Sequence, residues 1–348
     1  MQEKEYIKDQ ITAVIPVYNE ERFLRQCLES VVDQVDYVIL GDNASTDGTE
    51  AICREFTEKY GDKIVYFRNE ENLGGAKNGI LCHEKVQTEF VFHIGGHDLI
   101  PADYVKTLKN MILSRSDVVC AFADVYEMID EHDTKCHPFS GLDDLIRISE
   151  NSNPYYKAYQ FFTCGNSWHP IYGVIRTKVI ISVLQYCLPI RDVDYALVFS
   201  MYLKGIFLYT DETKYFRRDV HGQRTGNDNH DAYMKRIVGD SQETIPDVNG
   251  NRSFVEQILR IYNACDCEEH VKSKKKYLTL LKCRLYQIYD VPTNEYFLDV
   301  KLRLKRFIKN NPFRKKISNA IKKVFHKRKK NSFGQSNHQS PDQFSSAR

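Results

Sequence analysis

The first third of the chain alternates short apolar runs with stretches in which apolar residues recur every three or four positions. Five runs have the length of strands: Ile11–Val17, Tyr37–Leu40, Ile64–Phe67, Phe90–Ile94 and Val118–Val125. Runs that are apolar almost throughout are typical of parallel strands covered on both faces. The pattern therefore predicts an α/β fold built from βα units, with a mostly parallel sheet flanked by helices.

Amphipathic segments between these runs predict the helices. Leu24, Leu28, Val31 and Val32 form one apolar stripe at helical spacing, and Thr49–Tyr60 supplies a second helix. Further along, the pattern predicts that regular structure resumes at 171–175, followed by helices over 178–186 and 195–204, a strand over 206–209, and helices over 254–262 and 277–289. We expect the last two helices to form an extension that packs back onto the sheet domain.

Periodicity weakens between Glu127 and Asn166, where Pro138, Gly141 and Pro154 lie among polar and aromatic residues. Such a stretch predicts a long irregular segment that covers the ligand-binding site of the domain, of the kind that often carries substrate contacts.

Charge is distributed unevenly along the 348 residues. The net charge is +2, yet Lys301–Lys330 holds 14 Lys or Arg and no Asp or Glu, so the remainder carries a net charge of −12. Apolar residues recur at helical spacing among these lysines, at Ile317, Ala320, Ile321, Val324 and Phe325. A basic amphipathic helix is typical of segments that lie in a membrane interface. We expect an anionic membrane surface as its partner, and the alternative is a solvated or nucleic-acid-binding tail.

Cysteine usage and hydropathy indicate the compartment. The ten cysteines form no CxxC pair, and no run approaches the ~18 apolar residues of a membrane span. We therefore expect a cytoplasmic protein that is peripheral at the inner face of the membrane. Its predicted parts are a catalytic domain over 1–225, a helical extension over 226–300, the basic segment over 301–330 and a disordered tail over 331–348.

Polar, turn-forming residues follow the first two predicted strands, in Pro16–Glu20 and Asp42–Gly48. Open α/β sheets bind ligands at the carboxyl ends of their strands, so the sequence predicts a nucleotide site there. Neither a GxGxxG nor a GxxxxGK[ST] loop is present, and phosphate must be held in another way.

Four segments in order resemble the family-two glycosyltransferases, from about Ile11 to His221. They are Pro16-Val17-Tyr18-Asn19-Glu20, the turn with Asp42 and Asp47, Asn72–Asn78 and Gly95-Gly96-His97-Asp98. The resemblance implies a GT-A fold and transfer of a sugar from a nucleotide diphosphate to an acceptor.

The same resemblance implies a set of nucleotide-binding residues. They are Pro16, Val17, Tyr18, Glu20, Asp42, Asn43, Ser45, Lys77, Gly96 and His97. A carboxylate can accept hydrogen bonds from a base N–H, a tyrosine ring can pack against the base, and Lys77 would attract the diphosphate. The competing interpretation makes Asp42, Asn43 and Ser45 turn or cap residues, and Lys77 a surface lysine.

The family usually has Asp-x-Asp after the fourth strand, holding a divalent metal, where this chain has Gly95-Gly96-His97 followed by Asp98. Asp98 and His97 are the remaining candidate ligands, a set that suits Mn²⁺ better than Mg²⁺. Either these residues and the diphosphate hold a metal, or cationic side chains replace it. His93 is expected to pack internally.

Arg191-Asp192-Val193-Asp194 is similar to the acidic pair that begins an acceptor-side helix in the family. By that resemblance Asp194 is the first candidate for the general base and Asp192 the second, since inverting transfer needs one carboxylate at the acceptor hydroxyl. The alternative is that Asp192 caps this helix and Asp194 interacts with its positive end.

Two later segments also resemble the family. Trp168–Arg176 would border the donor sugar and acceptor through Trp168 and His169, together with Arg191, although the tryptophan could equally be a core residue. Tyr215–His221 resembles a terminal basic strand, in which Arg217, Arg218 or His221 would neutralise the departing diphosphate. The alternative there is a charged edge strand.

The sequence thus predicts an inverting glycosyltransferase that uses a nucleotide-diphosphate sugar and a glycan or lipid-linked acceptor of surface polysaccharide synthesis. A nucleotidyltransferase is one alternative, although it should carry a glycine-rich basic loop after the first strand. A non-catalytic sugar-nucleotide or membrane-binding module is the other.

Overall fold

The computed structural model describes residues 5–128, 134–136, 142–164, 168–184, 193–218 and 251–289. These residues form one mixed sheet in the order β3-β2-β1-β4-β7-β5-β6, with β8 beside β5. The strands are β1 (Ile7–Val17), β2 (Tyr37–Asp42), β3 (Ile64–Arg68), β4 (Thr88–His93), β5 (Val118–Met128), β6 (Thr134–Cys136), β7 (Val174–Arg176) and β8 (Ile206–Arg218).

Most strand pairs in the sheet are parallel. β1 pairs in parallel with both β2 and β4, β2 pairs in parallel with β3, and β5 pairs in parallel with β8. The short β7 runs antiparallel between β4 and β5, and β6 is antiparallel to β5. The predicted α/β architecture with a mostly parallel sheet is confirmed.

Helices cover both faces of the sheet. They are α1 (Leu24–Val31), α2 (Thr49–Tyr60), α3 (Gly75–Glu84), α4 (Tyr104–Leu113), α5 (Leu142–Ser149), α6 (Pro154–Cys164), α7 (Thr177–Leu184), α8 (Val193–Tyr202), α9 (Asn251–Ala264) and α10 (Val271–Ile288). In β1, Ala13 and Ile15 face the core shared with α1, α2 and α4, whereas Val14 faces the core shared with α3 and the later helices. Alternation of side chains between two buried faces explains why the run is apolar throughout.

The predicted irregular segment between Glu127 and Asn166 is wrong for most of its described part. The structure forms α5 and α6 there, and both helices bury apolar side chains in the core, among them Leu145, Ile148 and Phe161. Pro154 is the first residue of α6. A proline at that position costs no helical hydrogen bond, so it starts the helix where the prediction took it to break the pattern.

β8 is also longer than predicted and continues to Arg218. It pairs with β5 almost from end to end, with irregularities between Val118 and Cys120 and between Ala123 and Asp124. The polar stretch Thr210–Thr213 hides this continuity in the sequence. Because β8 is extended this far, its basic end reaches the turn that follows β4.

The two C-terminal helices α9 and α10 pack onto α6 and α8, as expected of a helical extension. Tyr155 of α6 contacts the ring of Tyr262, and its hydroxyl donates to the Cys265 carbonyl. Arg284 of α10 donates to the Phe162 carbonyl at 2.8 Å. Among the described helices, none is long and apolar enough to cross a membrane. The segments predicted over 226–250 and 290–348 lie outside the described residues.

Candidate functional site at the carboxyl ends of the strands

The carboxyl ends of β1 and β2 lie side by side at one edge of the sheet. The region around Val17, Tyr18 and Asp42 is called the mouth. Val17 is paired with Asp42 in the parallel register, and Tyr18, half-buried, follows directly. Asp42 itself is fully buried, at 0% exposure. Its Oδ2 accepts from Arg68 at 2.6 Å and from Tyr66 at 3.1 Å, and Oδ1 accepts from the Ser45 N–H.

The turn after β2 is therefore built around Asp42. Ser45 accepts the Asn19 N–H, and both Asn19 and Ala44 have positive φ, at 56° and 62°. The left-handed conformation at two non-glycine residues is uncommon and is sustained here by these side-chain contacts. Asn43 and Ser45 both shape this loop through their own side chains.

A network of asparagine side chains holds the segments that follow β2 and β3 beside the mouth. Asn43 donates to the Oδ1 of Asn72 at 2.6 Å, and Asn69 donates to both Asn43 and Asn78. Asn78 in turn donates to the Gly41 carbonyl at 2.7 Å. The network joins the ends of β2 and β3 to the start of α3, the helix whose first turn holds the exposed Lys77.

The turn after β4 contains Asp98, which is 2% exposed. Its two carboxylate oxygens accept from the Tyr215 hydroxyl at 2.6 Å and from the Arg218 N–H at 2.8 Å. Leu99 and Phe216 form a pair of backbone hydrogen bonds that dock this turn on β8. Burial raises the pKa of Asp98, and the neighbouring His97 and the Tyr215 hydrogen bond oppose that rise.

His97 links the β4 turn to the end of β1. Its Nδ1 donates to Glu20 Oε1 at 2.8 Å, and its Nε2 lies 3.8 Å from Asp98 Oδ1. Burial alone would lower the pKa of His97, but Asp98 and the hydrogen bond with Glu20 raise it above its ordinary value. Gly96 lies against the same end of β1, where an added Cβ would be 2.8 Å from Val17 Cγ1.

The donor set around His97 and Asp98 does not fit a divalent cation. Within the described ranges, no three His, Cys, Asp or Glu side chains converge in a way that could hold a metal ion. Glu20 is directed at the imidazole and Asp98 at Tyr215 and Arg218, whereas Mg²⁺ or Mn²⁺ requires several ligand atoms facing one point.

A cluster of one guanidinium and two aromatic rings lies beside the turn after β4. The guanidinium of Arg217 is 5.5 Å from the Trp168 ring centroid and hydrogen-bonds to Tyr172. Burial would lower the pKa of Arg217, but Tyr172, Asp98 and Asp194 keep it raised. Asp194 belongs to the first turn of α8 and is half-buried. Asp194 contributes to the raised pKa values of Tyr172 and Arg217, so the predicted base acts electrostatically on this cluster.

Other predicted residues are placed differently. Arg218 is buried and turned inward, since it donates to the His97 carbonyl and Gln26 and lies over the Phe23 ring. His169 is buried against Trp168, with their rings 4.4 Å apart. Three further candidates lie outside the described residues, namely Arg191, Asp192 and His221. As expected, His93 packs internally, against the ring of His83.

Sequence reasoning missed four side chains that shape the site. They are Tyr66, Arg68, Tyr172 and Tyr215. Arg68 is the last residue of β3, so the rule that pointed to the ends of the first two strands could also have found it. The tyrosines have no comparable signal, because each is placed by a strand register or turn that the sequence does not fix.

Comparison with known proteins finds a family model that matches the first half of the chain and relatives that each match part of it. Residues 12–176 match the model of the family described as Glycosyl transferase family 2. Glycosyltransferase GlyA of Streptococcus pneumoniae is 35% identical over 119 residues, which are 32% of this chain and 16% of the relative. Abequosyltransferase RfbV of Salmonella typhimurium is 29% identical over 113 residues, 31% of this chain and 34% of that protein. The matched segments thus span about a sixth and a third of the relatives' own lengths.

The fold extends the likeness beyond the matched segment. The crystal structure of Staphylococcus aureus TarS 1–349 superposes with a TM-score of 0.54 at 17% identity, covering 86% of this chain and 78% of the other. That likeness identifies the GT-A-type fold. Residues 12–176 of this chain are a family 2 glycosyl transferase domain.

Proposed function

We propose that this chain is an inverting glycosyltransferase that moves a sugar from a nucleotide-diphosphate donor to a glycan or lipid-linked acceptor of surface polysaccharide synthesis. The observation that carries the proposal is the position of the Arg217 guanidinium against Trp168 at the end of β8, with the half-buried Asp194 contributing to its raised pKa. A base for the acceptor and a cation for the leaving diphosphate are the two groups that such a displacement needs.

The mouth between β1 and β2 is the proposed nucleotide site. Tyr18 would pack against the base. Asp42 is fully buried with both oxygens engaged, so in place of the expected direct contact it would hold Arg68 and the Ser45 turn in position for the nucleotide. Arg68 already holds Asp42 in one orientation, which lowers the cost of ordering the site on binding. Val17 and Gly96 bring the ends of β1 and β4 together, so that the diphosphate would lie beside His97.

The proposed reaction is a single in-line displacement. Asp194 removes the proton of an acceptor hydroxyl as that oxygen bonds to the anomeric carbon, and the bond from that carbon to the diphosphate breaks. Asp192 is the alternative base. Arg217 would stabilise the charge that develops on the leaving diphosphate, and Trp168 would offer an aromatic face to the sugar.

The names of similar proteins support the donor and acceptor classes. RfbV is an abequosyltransferase, and GgaB of Bacillus subtilis is a minor teichoic acid biosynthesis protein. TarS has been crystallised in complex with UDP-GlcNAc. By analogy with these names, we propose a nucleotide sugar as the donor of this chain and a surface glycan as its acceptor. We also propose that the protein is cytoplasmic and that residues 301–330 bind it to the inner face of the membrane.

Nucleotide binding is the first test. A thermal-shift screen of nucleotide sugars should raise the unfolding midpoint with at least one donor, because a ligand that binds only the folded state stabilises it. A screen in which no nucleotide sugar shifts the midpoint would contradict the proposal.

Asp194→Asn tests the chemistry separately from binding. We expect transfer to fall by about 100-fold or more, the usual range for loss of a general base, while donor affinity stays unchanged. Release of nucleoside diphosphate with acceptor present measures the rate. Asp62→Asn is the matched control, since Asp62 is exposed in the turn before β3, at the opposite edge of the sheet. Donor binding without turnover in the wild type would favour a binding module. Full activity in the Asp194→Asn variant would assign the base elsewhere.

A further inference from the structure

We propose that this chain binds the diphosphate of its donor without a divalent metal, and that the Arg217 guanidinium takes the place of the ion. The inference rests on the proposed function and concerns the same site. It starts from the shape of the turn after β4, where the family resemblance leads one to expect Asp-x-Asp and the sequence has Gly95-Gly96-His97.

The backbone at position 95 leaves no room for a carboxylate side chain. A Cβ on Gly95 would be 2.8 Å from Asp98 Oδ2 and 3.3 Å from His97 Nε2. The first distance is shorter than real Cβ contacts allow. Asp98 cannot readily withdraw, because Tyr215 and the Arg218 N–H hold both its oxygens. The turn is therefore built around a glycine where the metal-binding motif has its first aspartate.

His97, which stands where the motif has its second aspartate, is also engaged in another contact. His97 donates from Nδ1 to Glu20, which ties the β4 turn to the end of β1. Glu20 is itself fixed through its N–H, which donates to Thr49 Oγ1 at 2.7 Å. An ion at this point would have to break the His97–Glu20 contact and find oxygen ligands that the described residues do not supply.

Fixed positive charge is present instead. Arg217 lies over Trp168 and hydrogen-bonds to Tyr172, so the guanidinium is oriented before any ligand arrives. Its chain neighbour Phe216 forms two backbone hydrogen bonds with Leu99, which brings Arg217 beside the turn that would otherwise hold the ion. A guanidinium is always charged and can donate two parallel hydrogen bonds to phosphate oxygens, which a point-like cation cannot.

Calorimetry on the full chain tests the inference directly. UDP, CDP, GDP, ADP and dTDP are titrated in buffer with EDTA and again with Mn²⁺. We expect at least one diphosphate to bind, with dissociation constants in the two buffers that agree within about threefold. Binding that is lost in EDTA and restored by Mn²⁺ would overturn this inference and leave the proposed function standing. No binding of any diphosphate in either buffer would overturn both.

Arg217→Gln identifies the group that replaces the ion. For the diphosphate that binds, we expect the affinity to fall about 10- to 100-fold, the range for a charge-assisted hydrogen bond, with the parent nucleoside bound as before. Unchanged nucleoside affinity also shows that the variant is folded. Lys214→Gln is the matched control, because Lys214 is an exposed cation on the same strand, with its ammonium over Tyr126. Equal diphosphate affinity in wild type and Arg217→Gln would contradict the assignment to Arg217.

Discussion

Gly95 and Gly79 show how differently two glycines of one chain are used. Gly79 lies inside α3 and an added Cβ there would meet nothing within 4 Å, whereas at Gly95 it would press on the buried Asp98 carboxylate. In the sequence alone the two glycines cannot be told apart, because each is a small residue with polar residues nearby. Only the folded turn distinguishes a glycine required by close packing from one that merely weakens a helix.

Alanine at these two positions should therefore change stability in opposite directions. We expect Gly95→Ala to lower the free energy of unfolding by about 1–3 kcal/mol, the usual cost of overpacking. Gly79→Ala should raise it by about 0.5–1 kcal/mol, because alanine favours the helix. Urea denaturation of the two variants measures both effects, and equal shifts of the same sign would refute the packing argument.

Asp42 and Asp98 illustrate what sequence could and could not say about single site residues. Both were predicted from their positions after β2 and β4, and both lie at that edge of the sheet. Their partners could not be predicted, because Arg68, Tyr215 and Arg218 come from strands whose register is set by packing.

Lys157 of α6 is the clearest case of a residue that joins elements. It is 4% exposed, and its ammonium donates to the carbonyls of Ser149 and Gly205 and lies 5.3 Å from the Tyr202 ring centroid. These contacts connect α6 to the end of α5, the turn before β8, and α8. Burial lowers the pKa of Lys157 to about 8.

A depressed lysine pKa makes stability depend on pH in a defined direction. Between pH 8 and about 10.5 the unfolded chain binds the proton and the folded chain releases it, so stability rises with pH across that window. Below pH 8 both states are protonated and the folded state carries the full penalty, about 3 kcal/mol for this shift.

Lys157→Met should remove that dependence. We expect the free energy of unfolding of the wild type to increase from pH 8 to pH 10 relative to the variant, as measured by urea denaturation at several pH values. Lys106→Met, which replaces an exposed lysine of α4, serves as the control and should keep the wild-type slope. Identical slopes in wild type and Lys157→Met would contradict the interpretation.

At the scale of the whole molecule, the acidic body and the basic segment 301–330 make the chain strongly asymmetric in charge. The described residues belong to one compact unit over Met1–Val291. An anionic membrane surface would attract the basic segment and repel the acidic body. We therefore expect the basic segment to be the part of the chain that binds such a surface.

Vesicle sedimentation of the full chain tests the membrane proposal. We expect binding to phosphatidylglycerol vesicles that weakens in high salt, and little binding to phosphatidylcholine. Ile321→Asp with Phe325→Asp should reduce binding at least about tenfold, because both residues belong to the predicted apolar stripe. Asn319→Asp with His326→Asp adds the same charge away from the stripe and should have a smaller effect. Equal losses in the two double variants would show that charge alone acts.

The hydrophobic pattern by itself determined the α/β class and the first strands, because strand period and burial are local properties of sequence. The polar residues at the strand ends indicated the edge of the sheet where the candidate site lies. The pattern did not determine α5 and α6, since Pro154 starts a helix or breaks one depending on its neighbours. Which side chains meet at the site was decided only by tertiary structure. The β8 register and the Leu99–Phe216 pairing carry Arg217 and Arg218 to the β4 turn, a contact between residues over a hundred positions apart.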